Sequence, residues 1–257
     1  MNLDFDLDLR RLYRILPDLF NDAISDHPSI ALKACGEYAL VELLMARHAP
    51  KAIEKNDFDW MAVADRVSGS DKEKVALECL RLEQPPPPEL YREDAFEGLW
   101  LQKLPFTDYK WQTLSNRFLR KIMLDGLDGQ DAYELTHIVF YWTDFGNDKP
   151  VAREYIIIVE LLLQFIDAVS PQDYDLESEV YLELSCSNSI YGNELLEFKL
   201  KKFLNKINHQ ITLLGHVPAH REMSRDSRLY WYGSFHTTCL LVAINLLATN
   251  NRNKAQI

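Results

Sequence analysis

Apolar residues recur at every third or fourth position along nearly the whole chain, and prolines stand where the periodic runs begin or break. That rhythm confines the chain to amphipathic helices. Only 9 glycines and few alternating stretches argue against an all-β fold. The periodicity predicts a helix over residues 7–25 that Pro17 kinks or divides. A second runs from Pro28 to Arg47, since proline suits a first-turn position. Shorter helices follow over 57–67 and 71–83. Residues 84–88, Gln-Pro-Pro-Pro-Pro, form a stiff polyproline spacer, either an internal boundary or a rigid surface connection. Beyond it come helices over 89–103, 108–124, 130–144, 150–169 and 172–186. One capped by Asn193 runs to residue 214. A polar loop over 215–227 leads to a last helix over 228–249, and the polar tail 250–257 is expected to fray.

These elements predict an all-α fold of stacked antiparallel pairs, one domain over residues 1–249. Such pairs either stack as an open solenoid or curl into a bundle or partial α/α toroid. With no fixed-period repeat in the sequence, the curled form is favoured.

The net charge of −11 leaves no basic footprint for nucleic acid. The longest uncharged stretch, residues 229–251, is long enough to cross a bilayer, but Ser234, His236, Thr237, Thr238 and Asn245 make it too polar for a span. The first residues are acidic and lack the basic start of a signal peptide, so the expected location is cytoplasmic. Cys35, Cys79, Cys186 and Cys239 are far apart and form no C-x-x-C pair, which excludes a zinc knuckle or thioredoxin motif. Reduced, buried thiols are the expectation.

Chemistry concentrates in two helices. Over residues 134–146, with His137 taken as zero, Tyr141 falls at about +40°, Asp144 at about −20° and Glu134 at about +60° around the helix. Thr136, Phe140 and Thr143 flank that stripe, and no Lys or Arg interrupts it. Threonines and aromatics at this density suit a lined cavity better than open water. In a cavity His137 could move a proton, with Asp144 to orient it. The two lie roughly 10 Å apart along the axis, so Tyr141 would have to bridge. The alternative is a hydrogen-bonded core histidine, with Asp144 forming a turn with Gly146.

In the last helix His236 shares a face with Tyr232, Gly233, Leu240, Ala243 and Leu247. The small Gly233 and Ala243 permit close approach of another helix or a ligand. A histidine on so apolar a face must find a partner or stay neutral. Cys239 lies one turn on, but nothing in the sequence supports a lowered thiol pKa. Glu37 most simply pairs with Lys33 at the surface. If buried, it would be an acid or base complementing a histidine. His216 and His220 have the spacing of a metal pair, but Pro218 between them removes the helical register, so no metal is expected. The same loop carries Arg221, Arg225 and Arg228, which either clamp an anion at a pocket mouth or form a surface charge network with Glu222 and Asp226. Phosphate-binding glycine loops, nucleophile elbows and H-E-x-x-H are absent.

Leu135-Thr136-His137-Ile138-Val139-Phe140-Tyr141-Trp142-Thr143-Asp144-Phe145-Gly146 resembles a segment, L-T-H-x-x-F-x-x-T-D-[FW]-G, of a family of uncharacterised bacterial helical proteins, some encoded beside natural-product pathways. His236-Thr237-Thr238 resembles a second segment of that family. The resemblance implies a bacterial cytoplasmic protein of secondary metabolism and points to His137, Asp144 and His236. It carries no assigned chemistry.

The reading that follows is a cofactor-independent enzyme acting on a small molecule or peptide by isomerisation, cyclisation or hydrolysis. His137 and His236 form its acid/base pair, and Asp144 and Tyr141 orient them. Glu37, Glu134, Thr143, Tyr232, Arg221 and Arg225 contact substrate, the arginines as an anion clamp. Neither nucleic acid nor membrane is an expected partner, and a homodimer stays open. A helical-repeat adaptor for a partner protein or peptide competes with this reading and predicts surface-exposed histidines. A non-catalytic ligand carrier would keep the pocket and give the histidines no chemical role.

Overall fold

The computed structural model describes residues 9–48, 58–66, 107–190, 192–227 and 229–255. Among them are nine α-helices: α1 (Leu9–Asp26), α2 (Ala31–His48), α3 (Trp60–Arg66), α4 (Thr107–Asp125), α5 (Gly129–Trp142), α6 (Arg153–Phe165), α7 (Tyr174–Cys186), α8 (Glu194–Leu214) and α9 (Tyr230–Ala255). The described residues form no strand, only one isolated bridge between Asp173 and His220. No described helix is long and apolar enough to cross a membrane. The expected helices over 71–83 and 89–103, the polyproline spacer and Cys79 lie outside the described residues.

Local chemistry sets the helix ends. The Asp128 carboxylate accepts from Asp131 N at the start of α5, Asp173 does the same for Leu176 N at α7, and Asn193 for Leu196 N at α8, each satisfying an orphan amide of the first turn. Gly215, with φ +81°, ends α8 in the left-handed region. Helix α5 stops at Trp142, two residues earlier than the sequence suggests. Its exit is a tight turn in which Asp144, Phe145 and Gly146 all have positive φ, 44°, 55° and 83°. Thr143 holds the turn: its hydroxyl donates to Phe140 O and accepts from Gly146 N. Left-handed Phe145 costs on the order of 1 kcal/mol, which its complete burial offsets.

Pro17 does not divide the first helix, since α1 is continuous across it. Pro28 opens a short 3-10 turn, Pro28–Ile30, before α2 begins. At the other end, α9 continues to Ala255, past the Asn250 at which the fraying tail was expected to start. A helix anchored by so long an apolar body propagates cheaply into residues that would not nucleate one.

α9 is the axis of the fold. It packs against α1, α2 and α7; α7 packs in turn on α5, and α4 and α6 cover α5. From Ser234 to Ala248 every residue of α9 except His236 is buried, as its all-round apolar sequence requires. The first helix thus lies on the last. Nearest-neighbour stacking in an open solenoid would not produce that contact, so the chain is a curled all-α bundle.

Candidate functional site

Four helices, α2, α5, α7 and α9, bring titratable side chains to one place around His236. The two nitrogens of its imidazole face opposite carboxylates. Nε2 hydrogen-bonds Glu179 Oε1 at 3.2 Å, and Nδ1 lies 3.2 Å from Glu37 Oε1 in an ion pair off the hydrogen-bond line. A third carboxylate, Asp175, reaches to 3.7 Å of Nε2. Only 14% of the His236 side chain meets solvent. Burial alone would lower its pKa, but the charges of Glu37 and Asp175 and the bond to Glu179 outweigh it and hold the ring well above its usual range. His236 is therefore an imidazolium.

The carboxylates differ in what they hold. Glu179, fully buried, spends both oxygens: Oε1 on His236 and Oε2 on the Thr136 hydroxyl at 3.3 Å. Burial raises its pKa, but the His236 bond and the charges of His137 and His236 overcome that and keep it below the ordinary value. Glu37 Oε1 takes both the Tyr232 hydroxyl and His236, while Oε2 is buried with no hydrogen-bond partner among the described residues. Asp175 accepts the Thr237 hydroxyl on Oδ1 at 2.9 Å, and 29% of its side chain is exposed. Burial pushes its carboxyl up to about 6, against the pull of His236. One further turn along α7 stands Glu183, 1% exposed, with neither oxygen bonded among the described residues. Burial and the charge of Glu179 hold it well above the carboxylate range, so it is a neutral acid. α7 therefore carries a row of three acids, from a partly exposed Asp175 through an ionised Glu179 to a neutral Glu183.

The loop between α8 and α9 buttresses this row. Ala219 O accepts from Asp175 N at 3.0 Å, and Arg221 N donates to Gln172 O at 2.8 Å. Gly233 makes room for that loop: a Cβ there would lie 2.8 Å from Ala219 Cβ. The close approach expected at Gly233 is thus of a loop, not of a helix or ligand.

The sequence-derived candidates divide accordingly. His236, Tyr232 and Glu37 meet in one cluster. Glu37 takes the buried alternative, and Lys33 lies over the Tyr232 ring at 5.1 Å instead of pairing with it. His137 joins through Glu179, whose pKa its charge lowers. His137 Nδ1 donates to Tyr133 O at 2.8 Å, and its ring lies 4.5 Å from that of Tyr133 and 6.3 Å from that of Tyr141. Tyr141 is buried among Phe140 and Phe145. Asp144 is turned elsewhere: its carboxylate pairs with Arg47 at 3.1 Å and accepts from Asn147, because the left-handed turn swings it off the His137 stripe. Thr143 is engaged in that same turn, and Glu134 accepts from Gln130 on an exposed helix edge. Arg221 and Arg225 are exposed on the loop; Arg225 acts on His216, whose pKa falls through burial and then through that charge. His216 is buried and bonded to the Tyr230 hydroxyl at 2.6 Å, and His220 Nδ1 accepts from Glu222 N. Cys35, Cys186 and Cys239 are buried thiols, and burial drives the pKa of each upward, to about 12 for Cys35. That state does not suit a nucleophile.

Asp175, Glu179, Glu183 and Tyr133 are additions from the structure, while Thr136 and Thr237, which the sequence offered only as neighbours of the two histidines, bond Glu179 and Asp175. The first three stood in the sequence at i, i+4 and i+8 of a predicted helix whose other residues are largely apolar. A carboxylate stripe on a buried helix is the signal that would have found them. Among the described residues no three His, Cys, Asp or Glu side chains are arranged to hold a metal ion.

No curated protein and no solved structure is detectably similar to the chain. Residues 111–189 match the profile of DUF6895, a domain of unknown function, and that stretch contains His137, Asp175, Glu179 and Glu183, while Glu37 and His236 come from either side of it.

Proposed function

We propose that the chain is a cofactor-independent acid/base enzyme acting on a small molecule or peptide. The observation that carries this reading is the bracketing of one buried imidazolium by Glu37 and Glu179, with Asp175 beside it and partly exposed. Catalysis by proton transfer is most effective when the transferring group titrates near the working pH, and such a step contributes roughly 10²–10⁴-fold. Asp175, pushed up to about 6, meets that condition. His236, with both nitrogens facing carboxylates, is better suited to be a fixed positive charge that stabilises a developing anion. Asp175 would take a proton from one substrate atom and return it to another, so that the enzyme ends each turnover in its starting state. His137 is the second candidate for proton carriage, and Tyr232 positions Glu37. The expected anion clamp has no support here, because the cluster is acidic and the arginines lie out on the loop. A bacterial setting beside natural-product pathways rests on the resemblance of residues 135–146 alone.

A ligand carrier is the second reading, favoured by the fact that both oxygens of Glu179 are already committed. The adaptor reading requires exposed histidines, and the burial of His236 weighs against it. The test is turnover of a panel of small molecules and peptides, followed by mass spectrometry, with wild type and Asp175→Asn compared across pH. An enzyme gives a rate that rises through about pH 6 and falls at least ~10²-fold in the variant. Ligands that saturate the site and leave unchanged decide for a carrier. Undiminished turnover by Asp175→Asn overturns the assignment of the base.

A further inference from the structure

The cluster has a charge and an unmet bonding need that together name a class of ligand. Glu37, Asp175 and Glu179 surround a single imidazolium, so the site is negative at neutral pH. Lys33 is exposed over the Tyr232 ring, and His137 bears on Glu179, each of whose oxygens already has a partner. Glu37 Oε2 is different. It is buried, belongs to a carboxylate, and accepts nothing from the described residues. A buried polar atom left without its bond costs about 1–3 kcal/mol, and more when charged, so this oxygen needs a donor that the described side chains do not supply. Asp175 likewise receives its contacts on Oδ1. Two aromatic side chains complete the surroundings. The Tyr133 hydroxyl lies in the field of Glu179, Asp175 and Glu37, and that of Tyr232 in the field of Glu37, Tyr133 and Asp175. A small group that fits this chemistry carries a positive charge and N–H donors, and tolerates aromatic neighbours.

We propose that the site takes a protonated amine, a primary or secondary ammonium carried by the substrate, which donates to Glu37 Oε2 and to Asp175 with Tyr133 and Tyr232 as its walls. The proposal deepens the acid/base reading and rests on the same cluster. A quaternary ammonium has the charge but no N–H, so it binds more weakly. Neutral and anionic molecules of the same size lack the charge that the cluster selects.

The test is a titration of the full chain, labelled with ¹³C-tyrosine and ¹⁵N-histidine, at constant ionic strength and pH 7. The probes are n-butylammonium, tetramethylammonium, n-butanol and butyrate. The expected result is a saturable movement of the Tyr133, Tyr232 and His236 signals with butylammonium, roughly tenfold weaker with tetramethylammonium, and none with the other two. Glu37→Gln, which keeps the shape and removes the charge, should weaken butylammonium about tenfold, the size of one charge-assisted bond. Should that variant fail to fold, Tyr133→Phe and the four-probe comparison in wild type still decide the question. Butylammonium affinity should also fall as pH drops below about 6 and Asp175 gains its proton. Butanol or butyrate saturating the same signals as tightly overturns the ligand class while leaving a ligand site in place. Absence of saturation by butylammonium overturns the proposal outright. The acid/base reading is judged separately, by the turnover and pH dependence of Asp175→Asn.

Discussion

Glu183 offers the sharpest test of the electrostatics, because its effect on stability has a slope fixed by thermodynamics. In the unfolded chain a glutamate titrates near 4.5, whereas in the fold burial and the neighbouring Glu179 keep Glu183 protonated. The folded state therefore binds one more proton than the unfolded state at any pH between those two values. Stability must then fall as pH rises from about 4.5 toward the folded-state pKa, by about 1.4 kcal/mol per pH unit. Each pH unit above about 4.5 thus adds to a penalty for burying this acid. Replacing Glu183 with a group that cannot ionise removes the penalty. Glu183→Gln keeps the shape but replaces one O–H donor with two N–H donors, and the extra one must find a partner at a cost of about 1–3 kcal/mol. Glu183→Leu carries no such donor. The absolute gain thus depends on the replacement, but the slope does not. Urea unfolding of wild type and both variants at half-unit steps from about pH 5 to pH 8 measures it, with equal m-values as the check that unfolding remains comparable. The advantage of each variant over wild type should grow by about 1.4 kcal/mol per pH unit across the lower part of this range. A difference that is flat with pH would refute the neutral-acid assignment and the row of graded acids built on it.

His236 should give a slope of the same sign, but from a charged form that the fold stabilises instead of one that it penalises. Its folded-state pKa is raised, so its stabilisation is complete below about 6.5 and is lost as pH rises through the folded value; ¹⁵N spectra should show an imidazolium persisting above neutrality, and His236→Gln should cost about 3–5 kcal/mol by leaving Glu37 and Glu179 unpaired. Asp144→Asn should weaken the pair with Arg47 by less than about 1 kcal/mol and leave the tyrosine and His236 signals unmoved; a loss of ligand binding in this variant would return Asp144 to the site. Gly233→Ala should displace the loop at Ala219 and cost about 1–3 kcal/mol by overpacking. Because Ala219 O holds Asp175 N, the same variant should lower the Asp175 pKa as solvent enters, readable by carboxyl ¹³C titration; an unshifted Asp175 would detach the loop from the site.

The sequence disclosed the helices well because each carries its own information: period, cap and stop. Asn193 and Gly215 bracket α8 by local bonds that need no tertiary structure. The site was only half legible for the converse reason. His236 and Glu37 were visible as polar residues on apolar faces, yet nothing local decides whether Glu37 bonds Lys33 or a histidine nearly two hundred residues away. The α2–α9 contact decides it. Asp144 shows the opposite failure. An ideal helix projects it beside His137, but the helix ends at Trp142, and three left-handed residues rotate the carboxylate toward Arg47. Angular arithmetic holds only as far as the helix does.

The stability balance and the site are linked through α7. A helix that buried only apolar residues at positions 179 and 183 would avoid two desolvated acids, and replacing buried ionic groups by apolar ones is often neutral or stabilising. Here the acids occupy consecutive turns of the helix that contacts α9 on one side and α5 on the other. Each environment gives a different protonation state: ionised where an imidazolium is in reach, neutral where none is. Chemically alike groups whose pKa values are driven apart by a few ångströms of helix are what acid/base sites are built from. The same cost should be absent from a purely structural helix. If Glu179→Gln and Glu183→Leu together raise stability while abolishing ammonium binding, these two acids are retained for the ligand; if binding survives the double substitution, Glu179 and Glu183 are structural and the ammonium rests on Glu37 and Asp175 alone.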